Sequence, residues 1–74
     1  MRAREVNRRI ERLGGMMVRQ VGSHCRYVAT YTDAAGREAT VATTVPQHAG
    51  DIPAGTLRAI ERDLEQALGK RWLR

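Results

Sequence analysis

Residues 17–31 read MVRQVGSHCRYVATY, two β-branched and aromatic runs on either side of Gly22-Ser23. Such residues fit a pleated, half-buried surface, and a two-residue loop that begins with glycine favours the type II′ hairpin turn. The spacing predicts an antiparallel hairpin of strands Met16–Val21 and His24–Thr32, with Val21 opposite His24 and Arg19 opposite Arg26. Side chains alternate between the two faces of a strand. One face then carries Met16, Val18, Cys25, Tyr27, Ala29 and Tyr31, and the other carries Arg19, Val21, His24 and Arg26. The first set is the more apolar and is expected to meet the core, which leaves the basic set on an open face.

Outward from the hairpin the signals stay local. Asp33-Ala34-Ala35-Gly36 is a turn, and a third strand is expected over about residues 38–45, ended by Pro46, which cannot donate to a ladder. Upstream, Val6, Ile10 and Leu13 fall at i, i+4 and i+7, one apolar stripe on a helix otherwise covered by arginines. Gly14-Gly15 should close that helix. Downstream, GDIPAGTLRAIERDLEQALG predicts a second helix with Pro53 in its first turn and Leu57, Ile60, Leu64 and Leu68 as its stripe. Asp51 near its start and Lys70-Arg71 near its end suit the helix dipole. Gly69 should stop it and leave KRWLR as a short tail. The tryptophan in that tail, Trp72, is suited equally to packing back or to meeting a partner.

The expected order is α-β-β-β-α, an α+β fold. Each helix has one stripe to bury, so the economical arrangement is a three-stranded antiparallel sheet with both helices on one face. Val6, Ile10, Leu13, Val18, Tyr27, Val41, Leu57, Ile60 and Leu64 are the expected core. The 74 residues make one thin domain, with residues 69–74 as the tail.

Charge narrows the class of partner. The formal net charge is +5, and twelve of the thirteen basic residues are arginine. Arginine suits planar, bidentate recognition of phosphate or carboxylate. A small basic chain of this kind points to nucleic acid or to an acidic protein. Cys25 is the only cysteine, so no internal disulfide forms, in keeping with a reducing compartment. No apolar run reaches membrane-spanning length, and MRAREVNRRIER lacks the apolar centre of a secretory signal. A soluble, cytoplasmic protein without a membrane partner is the expectation.

The basic face raises a chemical possibility. Like charges directly opposite on neighbouring strands repel. An anion bound between Arg19 and Arg26 would reverse that cost and would lie beside the His24 imidazole. Histidine exchanges protons near neutral pH. His48 follows the third strand, whose end should lie near the start of the second, so the VPQH segment should approach His24 and supply an auxiliary group. A metal site is not indicated, because Cys25 points away from His24 and no further ligands are spaced around the two histidines.

Three segments, VRQVGSHCRY, VATTVPQH and DIPAGTLRAI, together resemble in order and spacing the HicA (YcfA-like) family of bacterial toxins. The likeness runs from about residue 4 to residue 64. It implies a fold similar to a double-stranded-RNA-binding domain and an mRNA interferase that slows translation and growth. It also implies a cognate HicB antitoxin that covers the active site. The family's catalytic histidine lies in the Gly-Ser-His motif, here His24, with Gly22 and Ser23 as the turn that presents it. With Arg19 and Arg26, which the strand pairing puts on the same face, Gly22 and Ser23 make up the expected RNA phosphate-binding set, and the resemblance implies no metal or other cofactor. Cys25 and Arg26 follow the histidine where many members have a second histidine or an apolar residue, and residues 65–74 run past the usual end. The expected function is therefore a metal-independent endoribonuclease toxin. A non-catalytic RNA-binding module of the same fold and a basic adaptor for an acidic protein are the alternatives.

Overall fold

The computed structural model describes all of residues 1–74. The order is α1 (Ala3–Arg12), β1 (Met16–Val21), β2 (His24–Thr32), β3 (Glu38–Pro46) and α2 (Ala54–Leu68). The strands form one antiparallel sheet in the order β1-β2-β3. This is the α-β-β-β-α architecture expected from the sequence. No helix is long and apolar enough to cross a membrane.

Local chemistry accounts for each boundary. Glu5 reaches back to accept the Arg2 backbone N–H at 2.9 Å, closing the first turn of α1. Gly14 then takes a left-handed φ of 106°. Gly15 is needed for a different reason: a Cβ there would press into the Ile10 side chain and the Val28 carbonyl. Gly22 has φ 56° while Ser23 stays at negative φ, the pattern of a type II′ turn. At the β2–β3 turn the Asp33 carboxylate accepts the N–H groups of Ala35 and Arg37, both at 2.9 Å. Pro53 is the N-cap of α2 rather than a residue of its first turn, with φ −57° and ψ 147°. The helix ends at Gly69, φ 98°.

The core lies between the helices and the half of the sheet formed by β2 and β3. Val6, Ile10, Cys25, Tyr27, Val45, Ile52, Ile60 and Leu64 pack together in it. The pairings Cys25–Val45, Tyr27–Thr43 and Ala29–Val41 put these residues on the helix side, as the alternation predicts. Buried Thr43 is satisfied by donating to Asp63 Oδ2 at 2.9 Å. Val41 and Leu57 pack at the margin rather than the centre.

Three expected core residues are on the surface. Leu13 is 45 % exposed, Val18 53 % and Met16 60 %. Two causes combine. The helices pack against β3 and β2 and leave β1 uncovered, so all six β1 residues are exposed. In addition, the register shifts between Met17 and Arg19, which leaves Val18 without a partner. Met17 then stands opposite Tyr27, and Met16 moves to the face of Val28. The dipole expectation for α2 also fails, since its first turn holds no acid and its last no base. Asp51 instead lies 3.6 Å from the Met1 amino group.

The tail is part of the fold. Arg71 has φ 60°, which turns the chain back after Gly69. Trp72 and Leu73 enter the core, each 6 % exposed. The indole N–H donates to the Glu61 carbonyl at 2.8 Å, and the Glu61 carboxylate accepts the Leu73 N–H and the Arg74 Nε–H. Arg9 Nη1 donates to the Trp72 carbonyl at 3.1 Å, joining α1 to the tail. A buried carboxylate is tolerable only with such partners.

Two measurements check this packing. Leu64 is fully buried, so Leu64→Ala should lower stability by about 2–5 kcal/mol in urea unfolding; a parental midpoint would show that α2 does not seat as described. Tyr27 is buried and donates to Glu11 Oε2 at 3.3 Å. Burial first, and then the Glu11 charge and hydrogen bond, push its phenol up to about 12. The phenol binds its proton more tightly in the folded chain than in the unfolded one, whose pKa is about 10. That contribution is complete below pH about 10 and is lost as pH rises towards about 12. Tyr27→Phe should therefore be less sensitive than the parent across this window in thermal melts; an identical alkaline loss would refute the assignment.

Candidate active site

The sheet face that the helices do not cover carries the basic residues. Arg19 pairs with Arg26 and Val21 with His24, as the hairpin predicts. Across the other ladder His24 pairs with Pro46 and Arg26 with Thr44. Arg26 Nη1 donates to Thr44 Oγ1 at 3.0 Å, which draws its guanidinium towards β3. Neither Arg19 nor Arg26 forms an ion pair. Glu38 is the only carboxylate on this face, and it stands opposite Thr32 at the far end of β2. The end of the sheet near Gly22 therefore has cationic side chains without anionic ones.

His48 joins this group. Its ring centroid lies 6.0 Å from that of His24, with the rings 84° apart. Pro46 ends the ladder, and the chain must then be held to keep His48 there. The Gln47 N–H donates to the Ser23 carbonyl, tying the segment to the hairpin turn. The Gln47 side chain exchanges two hydrogen bonds with Asn7 of α1, at 2.8 and 3.2 Å, and also donates to the Val45 carbonyl at 3.0 Å. Both rings are exposed, so a ligand laid on the face can reach both.

Asn7 and Gln47 were not singled out from the sequence. The available signal was weak: Asn7 is an uncharged amide on an arginine-rich helix. Its partner is forty positions away, which no local pattern reveals. Cys25 is buried and on the opposite side of the sheet from His24. No group of three or more His, Cys, Asp or Glu side chains converges anywhere.

Fold and face together define a small basic α+β domain that presents an imidazole pair and an arginine pair at one end of an open sheet. A family model described as the HicA toxin of bacterial toxin-antitoxin matches residues 3–67. The chain belongs to that family. The match takes in every strand and all but the last residue of α2. No significant match was found among curated proteins or solved structures.

The Asn7–Gln47 pair should be a positioning contact. Gln47→Ala removes its bonds to Asn7 and Val45 and should cost about 1–2 kcal/mol. The larger effect should be local: nuclear Overhauser contacts between the His24 and His48 rings should weaken or vanish. Parental ring contacts in Gln47→Ala would show that the backbone alone holds His48.

Proposed function

We propose that this toxin is an mRNA interferase, an endoribonuclease that cleaves RNA at its own 2′-hydroxyl. The observation that carries this reading is the His24–His48 pair, 6.0 Å apart beside Arg19 and Arg26 on one open face. One imidazole takes the proton of the 2′-hydroxyl as its oxygen attacks the adjacent phosphorus. The 5′-oxygen of the next nucleotide leaves with a proton supplied by an acid, for which the second imidazole is placed. The products are a 2′,3′-cyclic phosphate and a 5′-hydroxyl, so no water is consumed in this step. His24 is the principal group, on the strand end presented by Gly22-Ser23, and His48 is auxiliary.

The arginines act on charge. The phosphate gains negative charge as the attack proceeds, and guanidinium groups already in place stabilise it without reorganisation. Their mutual repulsion across the strand pair is relieved when the phosphate binds. The same feature suits an antitoxin: a HicB-like protein with an acidic surface would cover this face and exclude mRNA, with association fastest at low salt.

His24→Ala tests the reading. RNA cleavage should fall by roughly 10²–10⁴, the usual worth of a positioned acid or base. Stability should change by no more than about 0.5 kcal/mol, since His24 is exposed. RNA binding should largely persist, and expression of the variant should no longer arrest growth. Parental cleavage by folded His24→Ala, or equal cleavage of RNA lacking the 2′-hydroxyl at the cut site, would sink the proposal. Binding without cleavage by the parent would assign a passive RNA-binding role instead.

A further inference from the structure

We propose that the cavity between the start of α1 and the β3–α2 connection is a second phosphate subsite, in which Arg2 and Arg4 hold the RNA phosphate one nucleotide from that at His24. This inference rests on the ribonuclease reading and extends it along the substrate. The cavity has a volume of about 430 Å³ and is lined chiefly by Arg2, Arg4, Gln47 and His48, with the small residues Ala3, Ala49 and Gly50. His48 is the shared wall: it lines this cavity and also sets its ring against His24. A strand of RNA whose reacting phosphate lies at His24 therefore has a neighbouring cavity within reach past His48.

The chemistry of the lining selects an anion. No carboxylate lines the cavity. The two acids nearest in sequence to its walls are engaged elsewhere: Glu5 accepts the Arg2 backbone N–H, and Asp51 faces the Met1 amino group. Neither Arg2 nor Arg4 has an ion-pair partner or a side-chain hydrogen bond within the protein. Two arginines without internal partners line one polar cavity, and guanidinium groups suit the oxygen fork of a phosphate.

The walls are also built rather than incidental. Arg2 forms an isolated antiparallel bridge with Asp51, and the Ile52 N–H donates to the Met1 carbonyl at 2.8 Å. These contacts fasten the start of α1 to the connection that leads into α2. On the other side, the Asn7–Gln47 exchange holds the His48 segment against the same helix. The cavity is therefore fixed relative to the histidine pair, as a subsite that sets the position of a substrate requires.

The test compares the parent with Arg2→Gln/Arg4→Gln, using Arg37→Gln at the distant β2–β3 turn as control. The substrates are dinucleoside monophosphates with and without an added terminal phosphate at the 5′ or 3′ end. In the parent, a terminal phosphate at one end should lower KM several-fold and leave kcat little changed. The double variant should lose that preference, and the control should keep it. A parent indifferent to terminal phosphate at both ends, or a double variant that retains the preference, overturns the subsite. Binding of a labelled single-stranded RNA is read in parallel and needs no cleavage. The salt-dependence slope should fall by about 0.7 in the double variant, one phosphate's worth, and an unchanged slope also overturns the subsite. If the parent cuts no RNA, the ribonuclease reading alone fails, and the slope still decides whether Arg2 and Arg4 hold a phosphate.

Discussion

The register between β1 and β2 is the constraint on which the rest of the structure depends, and a two-residue turn sets it. Gly22 accepts a φ of 56° without a Cβ to oppose it, and Val21 then faces His24 directly. Because side chains alternate, Cys25, Tyr27 and Ala29 go to the core while His24 and Arg26 go to the open face, and this pairing sets Arg19 and Val21 on that same open face. A slip of one residue at the turn would carry Arg19 to the other face of β1, away from Arg26, and break up the positive face. Packing of the helices on β2 and β3 fixes which side of β2 is buried, and the turn aligns β1 to it. The same pairing places Arg19 against Arg26, so a stable fold and a concentrated positive face come from one choice.

The core that supports this face is small, and it is completed from the chain's far end. In a domain this short, little apolar surface is available to bury. Trp72 and Leu73 supply part of it, and Glu61 holds them through its carbonyl and its carboxylate. Arg9 binds the same tail through the Trp72 carbonyl. Helix α1 is thus tied to the tail on one side and to the His48 segment through Asn7 on the other. Packing on the helix side of the sheet fixes the position of the His48 ring beside His24.

β1 belongs to the sheet but adds nothing to the core. It pairs only with β2, no helix covers it, and its bulge at Val18 turns Met16 to the open face. Natural edge strands are often interrupted by such bulges, which disfavour pairing with another chain. Its contribution to the site is still direct, since it carries Arg19 beside the histidine pair. A strand held through one ladder and a tight turn can place one arginine without adding to the core.

The sequence by itself determined the element order, the hairpin and the side of the sheet for His24, Arg19 and Arg26. These follow from local rules: β-branched runs, a glycine-led turn, 3.6-residue stripes and the two-residue alternation of a strand. The approach of His48 to His24 was also legible, because antiparallel order brings the end of β3 to the start of β2. Membership of the toxin family was legible through the likeness of the Gly-Ser-His and Gly-Thr-Leu-Arg segments, and the ribonuclease reading is a proposal that builds on it. Tertiary structure decided the remainder. Whether Leu13 and Val18 are buried depends on where the helices stop covering the sheet, and no periodicity in either segment encodes that. The bulge arises from the fit between two strands, not from one of them. The docking of Trp72, the Asn7–Gln47 exchange and the cavity beside His48 each join residues far apart in the chain. Contacts of that kind form only once the layers have packed, because packing is what brings their partners within hydrogen-bond reach.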